Sequence, residues 1–167
     1  MGIMRKKICM LGTFAVGKTS LVARYVHGIF SEKYMTTIGV KIDKKLIQHK
    51  EQPIELILWD LNGEDRFQKI SKSYLRGSDG YLLVVDGTRR ATLDTALPLH
   101  ERARETLGEV PFVLLLNKAD LVDEWELEDD DWAPLAARGW TILQTSAKTG
   151  TRVEEAFDIL ARQLVHS

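Results

Sequence analysis

Gly12-Thr13-Phe14-Ala15-Val16-Gly17-Lys18-Thr19 is the stretch on which the fold turns. It has the pattern G-x-x-x-x-G-K-[ST] in the setting that pattern needs. The apolar run Ile8-Cys9-Met10-Leu11 precedes it, and a helical segment carrying Leu21, Val22, Tyr25 and Val26 follows. A strand that delivers a glycine-containing loop into a helix wraps successive backbone N–H groups around an anion, because the first helical turn leaves its donors unpaired. Lys18 brings a point charge to phosphate oxygens, and Thr19 offers a hydroxyl to Mg²⁺, a hard cation that takes oxygen ligands. Gly12, Thr13, Phe14, Ala15, Val16, Gly17, Lys18, Thr19 and Ser20 are therefore the candidate phosphate-binding residues. A glycine-rich β-to-α turn with no ligand would leave Lys18 unexplained.

The flanking pattern extends along the chain. Short apolar runs at Ile54 to Trp59, Tyr81 to Val85, Phe112 to Leu116 and Trp140 to Leu143 alternate with amphipathic segments long enough for helices, the βαβ rhythm of a mainly parallel sheet. Tyr81-Leu82-Leu83-Val84-Val85 is apolar throughout, as suits a central strand covered on both faces. From Val40 to Gln48 apolar and charged residues partly alternate, and the polar link His49 to Gln52 leads to Pro53, which reads as an antiparallel hairpin with its first strand at the sheet edge. The lysines there either blunt an exposed edge or belong to a docking surface. Val153, Ala156, Phe157, Leu160, Ala161 and Leu164 mark one face of a last helix, and Thr151-Arg152-Val153-Glu154 fits a capping box. Pro98 is expected to kink or interrupt the helix spanning Thr92 to Leu107. The acidic stretch Asp123 to Asp131, with Trp125 and Trp132, reads as a solvated loop entering a short helix that ends near Gly139.

A chain of 167 residues, 44% hydrophobic and 28% charged, suits one domain with a real core. A net charge of −1 gives no global reason to expect nucleic acid or an anionic membrane as partner. The single cysteine, Cys9, lies in an apolar run and reads as a small buried hydrophobe in a reducing compartment. No apolar run approaches the roughly 20 residues that span a bilayer, and the N-terminus lacks a secretory apolar region, so a cytoplasmic location is expected. Membrane association would then come through partners or a further tail. Gly2 does not fit the myristoylation pattern, because Lys6 stands where Ser or Thr is wanted.

Asn117-Lys118-Ala119-Asp120 closes the run Phe112 to Leu116, and Thr145-Ser146-Ala147-Lys148 follows Trp140 to Leu143. Both lie at C-terminal strand ends, where open α/β sheets bind ligands. With N-K-x-D and S-A-K in this order after the phosphate loop, the chain resembles the Ras superfamily of small GTPases over essentially its whole length. The resemblance implies a single P-loop NTPase domain of the G-domain type spanning 1–167. Its fold would be α/β, a mainly parallel six-stranded sheet with one antiparallel edge strand and helices on both faces. It also implies GTP or GDP with Mg²⁺ as ligands. The chemistry agrees: guanine offers adjacent N1–H and N2–H₂ donors that the Asp120 carboxylate accepts together, a pair adenine lacks, and its O6 suits a backbone N–H such as that of Ala147. The family pattern lays the Lys118 stem along the base, with Asn117, Ser146 and Lys148 completing the motifs. Phe30 occupies the place of an aromatic edge against guanine, or is an ordinary core residue. Tyr34-Met35-Thr36-Thr37-Ile38-Gly39 resembles switch I, with Thr37 on Mg²⁺ and the γ-phosphate. Trp59-Asp60-Leu61-Asn62-Gly63-Glu64-Asp65 resembles a Rab-like switch II, with Asp60 holding Mg²⁺ and the Gly63 N–H on the γ-phosphate. Such loops are released on hydrolysis, which makes a switch read by protein effectors and regulators.

Two residues depart from the family pattern, and both fall on the hydrolytic machinery of Lys18, Thr37, Gly63 and Glu64. The family usually has glutamine at Glu64, where its amide orients water and donates to the transition state. An ionised carboxylate accepts but does not donate. Beside a polyanionic phosphate its pKa should rise unless a cation answers it, leaving it a weak base, a neutral donor or a residue swung away. Phe14 replaces a glycine found in the best-known Ras members, and either obstructs an incoming arginine finger or points away and covers the nucleotide. Slow GTP hydrolysis is expected. The alternative is a non-hydrolysing, GTP-loaded interaction module; an ATP-dependent kinase shares the P-loop but leaves Asn117, Asp120 and Ser146-Ala147-Lys148 unexplained. The chain ends at Ser167 without the tail and C-terminal cysteine that anchor many relatives, so no prenyl anchor is expected at this end, and a monomer is expected.

Overall fold

The computed structural model describes residues 2–30, 39–62 and 72–166. Six strands form one sheet: β1 Met4–Leu11, β2 Gly39–His49, β3 Gln52–Asn62, β4 Gly80–Asp86, β5 Phe112–Asn117 and β6 Ile142–Gln144, in the order β2-β3-β1-β4-β5-β6. All neighbouring pairs are parallel except β2 with β3, which run antiparallel at the edge in the register Ile42↔Trp59 and Leu46↔Glu55. This is the architecture expected from the sequence. The strand order reverses at β1, so the loops leaving β1, β4, β5 and β6 open at one end of the sheet, where ligands of such folds bind.

Helices α1 Lys18–His27, α2 Lys72–Leu75, α3 Ala91–Leu107, α4 Asp129–Ala137 and α5 Val153–His166 cover both faces. Period-two alternation divides the buried strands between two cores. Ile8, Met10, Leu82 and Val84 face α1 and α5, whereas Cys9, Leu11, Tyr81, Leu83 and Val85 face α2, α3 and α4. On the first face Tyr25 of α1 stacks on Phe157 of α5, with centroids 4.0 Å apart and rings parallel to within 1°. Cys9 is fully buried, as its apolar context implies.

Several local expectations need correction. Helix α3 runs uninterrupted through Pro98. Proline removes the donor for the Asp94 carbonyl one turn earlier, and both residues lie on the exposed side, where the freed oxygen is open to solvent. Thr151 does not cap α5: Arg152 has φ 55°, outside helical space, and the Thr151 hydroxyl pairs with Thr149 at 2.7 Å. A carboxylate closes the start of α4 instead, with the Glu128 N–H donating to Asp131 at 2.7 Å. The strand expected from Trp140 begins only at Ile142, because the Trp140 N–H turns back to the Leu135 carbonyl at 3.2 Å. Trp125 is not part of a solvated loop; its ring lies against Gly87, where an added Cβ would meet it at 2.0 Å.

Candidate functional site

The loop between β1 and α1 is shaped by two glycines that admit no side chain. Gly12 has φ 154°, and a Cβ there would meet the Val84 carbonyl at 2.5 Å; Gly17 has φ 106°, and a Cβ would meet Asn117 Nδ2 at 2.2 Å. Ala15 also sits at positive φ, 62°. Lys18 is buried and its ammonium donates to the Gly12 carbonyl at 2.6 Å, so the charge curls back over the loop it follows. Thr13, Val16 and Ser20 complete the turn into α1, with Val16 and Ser20 buried.

The end of β5 locks onto this loop. Asn117 donates from Nδ2 to the Val16 carbonyl at 2.9 Å and accepts from the Thr145 hydroxyl at 3.1 Å, which ties β5, β6 and the loop together. Lys118, at φ 71°, donates to the Ala15 carbonyl at 2.9 Å and to Asp86 Oδ2 at 2.9 Å. Asp120 accepts from the Ser146 hydroxyl at 2.7 Å, which orients one carboxylate oxygen. Ala15, Gly17, Ser20, Phe30, Asn117, Lys118, Asp120, Ala147 and Lys148 line a cleft of about 150 Å³. Phe30 lines this cleft and also packs on the first core. Phe14 is 43% exposed and does not line the cleft.

At the other end of the loop, the Thr19 hydroxyl donates to Asp60 Oδ2. The second oxygen, Oδ1, is buried with no hydrogen-bond partner among the described residues. Burial pushes the Asp60 carboxyl up, against the lowering effects of Thr19, Lys18 and Lys41. A buried carboxylate oxygen without a partner, next to a hydroxyl, is a donor set that fits a hard cation. Among the described residues, no group of three or more His, Cys, Asp or Glu side chains converges on a metal position. Tyr34, Thr37, Gly63 and Glu64 lie outside the described residues.

Three contributors escaped the sequence reading. Arg24 on α1 donates to the carbonyls of Ala147, at 2.8 Å, and Lys148, fixing the loop after β6 from below. Asp86, in register with Asn117 at the end of β4, is 1% exposed. Burial pushes its carboxyl up, but hydrogen bonds from Thr88, Lys118 and Arg89 outweigh that and hold it below the ordinary value. Arg89, in the turn after β4, donates to Asp86 at 2.9 Å and to the Phe14 carbonyl at 2.9 Å. Only Asp86 left a sequence signal, as a carboxylate closing an apolar strand.

The family model of the Ras family matches residues 7–166. The chain is 34% identical over 161 residues to the Ras-related protein Rab-1 of Theileria annulata, covering 95% of this chain and 73% of that one. It is 33% identical over 162 residues to the Ras-related protein RABA2d of Arabidopsis thaliana, covering 96% and 75%. With the GTP-binding protein YPT1 of Saccharomyces cerevisiae it shares 34% identity over 163 residues, covering 96% and 79%.

Proposed function

We propose, from the premise that this chain belongs to the Ras family and to its Rab-like branch, that it is one G domain acting as a guanine-nucleotide switch with Mg²⁺ and slow GTP hydrolysis. The family binds guanine nucleotides and its members are GTPases in general. The observation that carries the reading is the pairing, in one cleft, of the oriented Asp120 carboxylate with the P-loop backbone. Asp120 would accept the N1–H and N2–H₂ of guanine, the Ala147 N–H would meet O6, and the Lys118 stem would lie along the base. The N–H groups from Thr13 to Thr19, with the Lys18 ammonium, would hold the phosphates. Thr19 and Asp60 would hold Mg²⁺, joined by Thr37; when bound, the ion neutralises charge on the β- and γ-phosphate oxygens. Thr37 and the Gly63 N–H would sense the γ-phosphate, so that effectors and regulators read the two loops. A cytoplasmic monomer, recruited by partners, is the setting we assign to it.

Slow hydrolysis follows from two side chains. An ionised Glu64 accepts from the attacking water but donates nothing to the transition state. Phe14 is exposed, and there its ring would obstruct an incoming arginine finger, which is worth roughly 10³ to 10⁵ in rate. Single-turnover GTP hydrolysis by wild type, Glu64→Gln and Phe14→Gly tests this. The glutamine variant should gain on the order of tenfold or more, and the glycine variant should gain response to a Ras-type activator. Fast wild-type turnover, unimproved by either change, rules the idea out.

A further inference from the structure

Three consecutive P-loop carbonyls are held from outside the loop. Phe14 O accepts from Arg89 Nη2, Ala15 O from Lys118 Nζ and Val16 O from Asn117 Nδ2, each at 2.9 Å. Across a trans peptide the carbonyl and the following N–H point in opposite directions, and no cis bond occurs among the described residues. Fixing these three carbonyls therefore turns the N–H groups of Ala15, Val16 and Gly17 to the opposite side, where they form the anion-binding nest. Asn117 and Lys118 belong to a motif already assigned to the base. Arg89 belongs to none.

Arg89 also has a fixed anchor. While Nη2 holds Phe14, Nε donates to Asp86 Oδ2 at 2.9 Å, the same oxygen that receives Lys118 Nζ at 2.9 Å. Oδ1 of that buried carboxylate is held by the Thr88 N–H at 2.9 Å and hydroxyl at 2.7 Å, and the Asp86 N–H donates to the Thr92 hydroxyl at 2.9 Å. One buried oxygen thus anchors two cations that grip adjacent carbonyls. A guanidinium spans carboxylate and carbonyl as a planar fork, whereas an ammonium is a point charge with rotating donors.

We propose that Arg89 is a positioning residue for nucleotide retention: it ties the Phe14 carbonyl to Asp86, holds the P-loop nest in its anion-binding form, and so slows release of bound guanine nucleotide. The inference rests on the guanine-nucleotide reading above. Wild type, Arg89→Ala and Arg89→Lys are loaded with a fluorescent GDP derivative and Mg²⁺ and chased with excess GDP. Loss of one charge-assisted bond to the loop should speed dissociation of Arg89→Ala about tenfold. Association by Arg89→Lys, which keeps the positive charge, should change less than about twofold, because positioning rather than long-range attraction is removed. In dissociation Arg89→Lys should resemble Arg89→Ala. In GDP-loaded protein, where phosphate would pair with these N–H groups, amide exchange at Ala15, Val16 and Gly17 should quicken in Arg89→Ala with the melting temperature little changed. Dissociation by Arg89→Ala within twofold of wild type, full rescue by lysine, or unaltered exchange overturns the proposal. Wild type that retains no guanine nucleotide at all overturns the functional reading, and with it the retention role.

Discussion

Asp120 shows what one residue is asked to decide. Its carboxylate receives the Ser146 hydroxyl at 2.7 Å on one oxygen. Two charge-assisted bonds to guanine, each worth roughly 1.5–3 kcal/mol, would depend on it. Asp120→Asn should weaken GDP binding on the order of 10²-fold or more and improve binding of xanthosine diphosphate, whose C2 carbonyl offers an acceptor to the new amide. Equilibrium titration with both nucleotides measures this, and unchanged GDP affinity would remove Asp120 from the base site. Asp120 was legible in the sequence because its chemistry allows few substitutes, and the same holds for Lys18, Asn117 and Gly17. Arg24 and Arg89 were not. A lone arginine in a helix or a turn has the composition of a surface residue, and only the folded geometry carries its guanidinium to the carbonyls of another loop.

Among the elements, the wholly apolar run of β4 told its central position, because a strand covered on two sides is apolar at every residue, whereas the division of its side chains between the two cores came only from the fold. Helix α3 was harder to read: Pro98 argues against it locally, but the exposed position of the proline lets burial of Leu93, Ala96 and Ala103 prevail. The same helix carries His100, 2% exposed, which meets the Tyr81 hydroxyl through Nδ1 at 2.8 Å and lies among Phe112 and Trp140. Burial pushes its pKa below the ordinary 6.5; Glu101 opposes this, and Arg104 and Arg138 add to it. The native state therefore keeps His100 neutral where the unfolded chain takes up a proton. Its stabilising contribution is complete above about pH 6.5 and is lost as pH falls from there toward the depressed native value, at most about 1.4 kcal/mol per pH unit for one proton. Denaturant titrations between about pH 7.5 and 5.5 should show wild type losing stability on acidification, with a shallower loss in His100→Gln. Equal slopes would assign the proton uptake to another group.

For the whole molecule, the strand order β2-β3-β1-β4-β5-β6 brings loops from β1, β4, β5 and β6 to one end of the sheet. Asn117 and Lys118 join the P-loop to β5, Thr145 joins β6, and Arg24 joins α1 to the loop beyond it. These side chains cross-link the parts of the cleft, Thr145 through the Asn117 side chain and the others through backbone carbonyls, and the spacing of motifs along a chain says nothing of such links. A ligand that touches all four loops would close the same links from inside, so its binding should stabilise the fold cooperatively rather than one loop at a time. At a free concentration 1,000-fold above its Kd, a ligand that binds only the native state contributes about 4.1 kcal/mol. For a chain of 167 residues that corresponds to a melting-temperature rise of about 8–16 °C. Nucleotide-free protein given GDP and Mg²⁺ should show such a rise in a thermal melt, reduced by a chelator because Asp60 and Thr19 would then face the phosphates without the cation between them. ADP at the same concentration should give little or no rise, since adenine has no donor pair for Asp120. An equal rise with ADP would mean that the phosphates alone account for the binding and that the far end of the cleft does not select the base.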